Sequence, residues 1–383
     1  MPDGAISADV SQSDRNPRSA IGGNGGTGGT IGLGGSGGEV RVSAPGNIAL
    51  GGAINAYGGL NGAGITGACC GLIEIVAAGA VTQAAPLTTD FLFATGTDVN
   101  LALTNTAKFL QGSVSNGNFT FNNSGDLGVL GVSASRVASI SATGSITGAS
   151  LSGLPSTQIP PTPIPFTHAV QGGTGVTLNA GRAIGSTTAP LAVAAPALDA
   201  SAAFGIAIDL NALSPTPATV NTLQNTTTGD ILLNAHGGAT IASLVSSPGS
   251  VTINSFSPLD VQRGITAGGG IFLSTGGVFP NGTPPNDMTL NGTFSPGTGP
   301  FDVTIGSFGT LHLAGGLSLT APLFPNQLNI TKFTFVSGDP LANTIVAAAY
   351  NTTAASGSLG ARVVEEAPTK DKRDDKKAAA ICK

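Results

Sequence analysis

Three seven-residue stretches decide the fold: GDILLNA at 229–235, GSVTINS at 249–255 and GGIFLST at 269–275. Each opens on glycine and carries two aliphatic residues one position apart: Ile231 and Leu233, Val251 and Ile253, Ile271 and Leu273. A small polar residue follows each pair: Asn234, Asn254 and Ser274. Alternation with a period of two marks a strand with one buried face. Its return at a fixed interval of 20 residues makes each unit one supersecondary element stacked on the next.

The gaps between the copies hold short strand-like pieces, ATIASLV at 239–245 and LDVQRGITA at 259–267, and glycine turns. They contain no amphipathic stretch long enough for a crossover helix, which excludes a βαβ unit. A chain that returns to the same register through short strands makes a coil, and stacked coils make a parallel β-solenoid with rungs about 4.8 Å apart. The expected class is therefore all-β, a right-handed parallel β-helix of about 20 residues per coil with disordered ends. Ile231, Val251 and Ile271 should form one inward column, and Leu233, Ile253 and Leu273 a second. Asn234, Asn254 and Ser274 should form a polar ladder at the corner, where each amide bonds to the coil above.

Looser copies begin at Gly38, Gly46, Gly71, Gly144, Gly175, Asp287, Phe301 and Gly316. Their spacing is uneven, so loops are expected to protrude from some coils. Five prolines fall within Pro155–Pro165. Proline supplies no ladder donor, so the stack should be interrupted there. The organisation expected is a disordered segment 1–20, a glycine-rich solenoid lobe 21–154, a proline-rich linker or protruding loop 155–166, a second solenoid lobe 167–360 and a charged disordered tail 361–383.

Composition supports an elongated protein over an ordinary enzyme. Charged residues make up 9% of the 383, and there are 58 glycines and no tryptophan. Globular domains carry about a quarter charged residues. The longest apolar stretch, Leu191–Leu210, is broken by Pro196, Asp199 and Asp209, so no membrane-spanning helix is expected. The polar N-terminus shows no signal-peptide h-region. Either the protein stays inside the cell, or the chain is a late segment of a longer exported one. Ala361–Lys383 holds seven basic and five acidic residues, leaving eight basic and 15 acidic in the body. That acidic body offers no basic face for nucleic acid.

Motifs that suggest chemistry lack the context they need. Gly23-Gly25-Gly28 and Gly32-Gly34-Gly37 have dinucleotide-loop spacing, and Ser36 sits in G-x-S-x-G. Phosphate cradle and nucleophile elbow both require a following helix, and here the strand-like GEVRV at 38–42 follows. His168, His236 and His312 are far apart, with no ligand partner at metal spacing; His236 should lie exposed at a turn. Stacking would bring Asp209, Asp230 and Asp260 near one another, with Arg263 beside Asp260, and a β-helix lyase or glycosidase needs such a cluster. Against this, acids are few, and Asp230 also suits a turn. Glu39 in GGSGGEV has no recurrence, so structural calcium is not expected. Cys69, Cys70 and Cys382 are too few for a disulfide framework. We therefore expect no catalytic, cofactor-binding or metal-ligating residues, and no cofactor.

The stretches TGDILLNAHGGATIASLVSSPGSVTINS at 228–255 and GGEVRVSAPGNIALGGAINAYGG at 37–59 resemble the repeats of filamentous-haemagglutinin-like exoproteins, a pattern shared by autotransporter passengers. The resemblance covers about half of the chain. It implies a non-enzymatic secreted or cell-surface β-helical protein, an adhesin or stalk. Its partners would be glycans or proteins of a host or neighbouring cell and an outer-membrane secretion partner. No secretion domain is recognisable at the N-terminus and no barrel at the C-terminus, which suits a C-terminal fragment of a longer exoprotein. Gly22–Gly38 also resembles glycine-rich mycobacterial surface repeats. The alternatives are a carbohydrate-active β-helix enzyme and a glycine-rich structural envelope protein.

Overall fold

A computed structural model describes residues 38–56, 71–150, 167–243, 245–256, 258–275 and 287–297. It also gives the backbone pairing of Ile6–Asp9, Val303–Ser307, Leu311–Leu313, Ser318–Leu319 and Leu328–Lys332. The glycine run from Gly22 to Gly37 with Ser36, the proline run 155–166, the tail 361–383 and all three cysteines lie outside the described residues. Of the segment 1–20, Ile6–Asp9 is described, as a strand on Glu39–Ala44.

Local sequence dictates the first rung. In Glu39–Ala44, Val40, Val42 and Ala44 point inward while Arg41 and Ser43 are exposed. Pro45-Gly46 and Gly51-Gly52 then turn the chain into two shorter strands, Ile48–Leu50 and Ile54–Ala56. The next rung lands on these three in the same order: Leu72–Ala77 on the first, Ala80–Gln83 on the second and the start of Leu87–Gly96 on the third. Every pairing between strands is parallel, and the described residues contain no helix. The protein is a parallel β-solenoid with three strand segments per rung.

Registered columns hold the stack together. One runs Ile48, Val81, Val99, Phe119, Ala138, Val176, Leu198, Val220, Ile241, Val261 and Leu290. Each of these side chains is at most 3% exposed. The expected columns are present: Ile231 pairs with Val251 and Val251 with Ile271, while Leu233 pairs with Ile253 and Ile253 with Leu273. Each such aliphatic side chain contributes about 1.5–3 kcal/mol when withdrawn from water. Packing is tight where large meets small. A Cβ built on Gly112 would lie 2.1 Å from the Phe119 ring.

The rungs are not all of one length. The regular interval holds from Asn234 to Asn254 and from Asn254 to Ser274, each pair 20 positions apart. The rung from Asp209 to Asn234 is longer, at 25 positions, and the rung from Val81 to Val99 is shorter. Three of the paired rungs carry excursions. One lies between Ile48 and Val81, a second and longer one between Ala138 and Val176, and a third between Ile271 and Val303. The second includes the proline run. The strands flanking it are bonded directly to each other, Val137–Ala142 to Gly175–Ala180 and Ile146 to Ile184. The ladder therefore continues from the rungs before 151–166 to those after it.

Corners have their own chemistry. Where the chain bends, a backbone N–H tips out of the ladder and needs another acceptor. Short Asx side chains of the rung below supply it. Asn47 Oδ1 accepts from Ala80 N at 2.8 Å, and Asp98 Oδ1 from Asn118 N at 2.8 Å. Asp126 Oδ1 accepts from Ser145 N at 2.7 Å, and Asp230 Oδ1 from Ser250 N at 2.7 Å. The glycines that open the repeats sit at such corners. Gly229 has φ of 92°, and a Cβ there would lie 2.0 Å from Phe204 O. On the inner side of a corner, the Asn123 amide is buried and bridges Ala107 N and O, at 2.8 and 3.0 Å.

Candidate binding surfaces

The outward positions of the strands are the surface available for function. In Ile231–His236 the inward set is Ile231, Leu233 and Ala235, which puts Leu232, Asn234 and His236 on the outer face. Asn254 Nδ2 donates to Asn234 Oδ1 at 2.9 Å, and Ser274 Oγ donates to Asn254 Oδ1 at 2.8 Å. Asn234 Nδ2 in turn donates to Asp209 Oδ1 at 2.7 Å. The expected polar ladder exists, one member longer than expected. It lies on the outward face of strands, not at a corner, because Asn234 directly follows the inward Leu233.

Other groups singled out in the sequence are dispersed by the register. Asp209 lies over Asn234, whereas Asp260 lies in another strand column between Thr240 and Thr289. Asp260 accepts from Gln262 Nε2 at 2.9 Å, and Asp230 is engaged at its corner. The three acids therefore do not meet. His236 is exposed; its Nε2 lies 4.0 Å from Asp209 Oδ1, and its ring stacks on Phe256 with centroids 4.6 Å apart. His168 Nδ1 lies 3.0 Å from Thr167 Oγ1, and partial burial holds its pKa below the ordinary histidine value. His312 belongs to a strand paired on Met288–Leu290. Among the described residues, no three His, Cys, Asp or Glu side chains converge as a metal site.

Two surface features escape a reading of the sequence. Leu92 pairs with Ile73 and Leu110 in the inward stack, so its neighbours Phe91 and Phe93 face outward. With Leu72 they form a second apolar cluster, joined by Phe109 and Leu130. Phe91 and Phe109 stack at 4.8 Å. Beside them Asp90, 1% exposed, pairs with Lys108 Nζ at 2.6 Å and accepts from Gly71 N at 3.0 Å. The signal was DFLFA at 90–94, where apolar residues run on without alternation.

The second feature is a groove of about 420 Å³ on the outward side of the middle strand column. Its axis is a register column, Asn122 over Ser141, Ser141 over Asn179 and Asn179 over Ser201. Long and short side chains alternate along it. Two amides stand about 10 Å apart, two rungs at about 4.8 Å each, with Ser141 between them. Buried Ala142 and Ala180 and exposed Gly181 keep the adjoining corner low. The lining carries no ionisable side chain. Asn122 Nδ2 is tied to Ala102 O, but Ser141, Asn179 and Ser201 make no side-chain hydrogen bond to another described residue. That sets this column apart from the Asn234 ladder, whose amides are engaged with one another.

Compared with protein-family models, with curated proteins and with solved structures, the chain has no match.

Proposed function

We propose that the chain is the β-helical shaft of a secreted or cell-surface protein of the filamentous-haemagglutinin-like type, a non-enzymatic adhesin or stalk. The observation that carries this reading is the distribution of side chains over a continuous ladder. From Val42 to Thr275 a single register column crosses eleven strands. At about 4.8 Å per step that is a rod of about 50 Å. Its interior is filled mainly with aliphatic side chains, and its outward positions are mostly small and polar. Such a body is stiff, repetitive and wide in surface, which suits display and contact along its sides. An outer-membrane secretion partner would export it, and molecules of a host or neighbouring cell would be its ligands.

The test is direct. The labelled full chain is incubated with host cells and neighbouring bacterial cells, and producing cells are shaved with protease while intact. Saturable retention on a cell surface, together with loss of the protein on shaving, is the expected pair of results. Retention no greater than that of an inert protein, with full protection from protease, refutes the proposal.

A further inference from the structure

We infer that the groove along Asn122, Ser141, Asn179 and Ser201 is a subsite for one sugar unit of an uncharged glycan. The inference rests on the adhesin reading and names the ligand class for one of its faces. Three observations carry it.

The first is shape. Asn122, Ser141 and Asn179 line the groove as successive members of one register column, a short side chain between two longer ones. Concave sites of about 300–1,000 Å³ are the usual size for small ligands, and this groove measures about 420 Å³. The second is hydrogen-bonding capacity. With its amide nitrogen held on Ala102 O, Asn122 presents Oδ1 as an acceptor. Asn179 offers both a donor and an acceptor, and the Ser141 and Ser201 hydroxyls offer either. None of these last three is engaged by another described residue. Closely spaced groups that both donate and accept match the vicinal hydroxyls of a sugar.

The third is charge. With no ionisable side chain in the lining, the groove suits a neutral ligand and offers no opposite charge to a phosphate, sulfate or uronate. The Asn234 ladder does not share these properties, because each of its amides already serves its neighbour.

The test uses the full chain in sedimentation with insoluble cellulose, chitin and starch, and with heparin-agarose as the anionic control. Three variants are compared. Ser141→Tyr fills the groove without adding charge, Asn179→Ala removes a lining amide, and Asn254→Ala alters the self-engaged ladder elsewhere. Thermal unfolding confirms that each is folded, and Asn179→Ala stands in if Ser141→Tyr is not. The expected result is retention on at least one neutral polysaccharide. That retention should weaken by about tenfold in the groove variants, as for a central contact residue, and stay unchanged in Asn254→Ala. Three results overturn the inference: no retention on any neutral polysaccharide, retention indifferent to both groove variants, or heparin binding that the groove variants abolish. Cell retention separates the two levels. If wild type and Ser141→Tyr adhere equally, the glycan inference fails while the adhesin reading stands. If wild type does not adhere, the adhesin reading itself fails.

Discussion

Replacing Gly112 by alanine asks how closely successive rungs interlock. Gly112 lies in a strand between Ala94 and Val132, with no unusual φ to require glycine. On backbone entropy alone, alanine in a strand interior should stabilise by about 0.5–1 kcal/mol. The structure predicts the opposite sign. An added Cβ meets Phe119 ring carbons at 2.1, 2.6 and 3.0 Å, and Phe119 is fully buried. The ring cannot retreat, because it belongs to the column between Val99 and Ala138. Overpacking of this kind costs about 1–3 kcal/mol. Taking the middle of each range, the net loss is about 1 kcal/mol, a fall in Tm of about 2–4 °C for a unit of this size. The assay is thermal and urea unfolding of wild type, Gly112→Ala, Phe119→Leu and the double variant. Because the two side chains compete for one space, the double variant should be more stable than additivity predicts, by about 1 kcal/mol. A higher Tm in Gly112→Ala, or strict additivity, refutes the packing described here.

Other substitutions test the corners and the outer face. Gly229→Ala forces a side chain onto a φ of 92° and into Phe204 O, so it should cost at least about 1–2 kcal/mol by urea midpoint. Equal stability would mean that this corner is not built as described. Asn254→Ala removes hydrogen bonds to Asn234 and Ser274, a loss of about 1–2 kcal/mol for two half-buried bonds. Thr252→Ala, outward on the same strand with no ladder role, should change the midpoint by less than about 0.5 kcal/mol. Lys108→Met leaves the buried Asp90 carboxylate without its cation. With Lys108 itself 42% exposed, the expected loss is about 1–3 kcal/mol, short of that for a fully buried pair. An unchanged midpoint would show that the ion pair adds nothing.

The solenoid was legible because the rungs at 229–275 repeat without insertion, so that register can be counted directly. The rungs at 87–134 escaped the same reading. Leu87–Gly96 and Asp98–Val114 turn corners within continuous strand hydrogen bonding, and register shifts between Leu101 and Thr104 and between Val129 and Gly131 mark the bends. Gly117 and Gly125 do open GNFTF and GDLGV, but they stand 8 positions apart and not 20, and DFLFA hides its inward residue among outward aromatics. The polar ladder was legible as far as Asn234. Asp209 was not, because the rung that joins it to Asn234 is longer than the regular repeat. The groove was beyond reach for the same reason. The step from Ser141 to Asn179 is far longer than the step from Asn122 to Ser141, so no fixed period links the three. Only the pairing across 151–166 brings the third beside the second.

Four of the corner bonds share a direction. In each, the acceptor side chain belongs to the earlier rung and the N–H to the later: Asn47 to Ala80, Asp98 to Asn118, Asp126 to Ser145, Asp230 to Ser250. A finished rung thus holds out, ready-placed, the acceptors that the next will need. Other N–H groups wait on the rung that follows, Gly125 N on Thr143 Oγ1 and Ala107 N on Asn123 Oδ1, so an arriving rung also closes bonds that the last one left open. A chain delivered from its N-terminal end, by a ribosome or through a narrow pore, can crystallise onto itself one layer at a time. Each layer gained resists being drawn back, so assembly acts as a pawl on the moving chain.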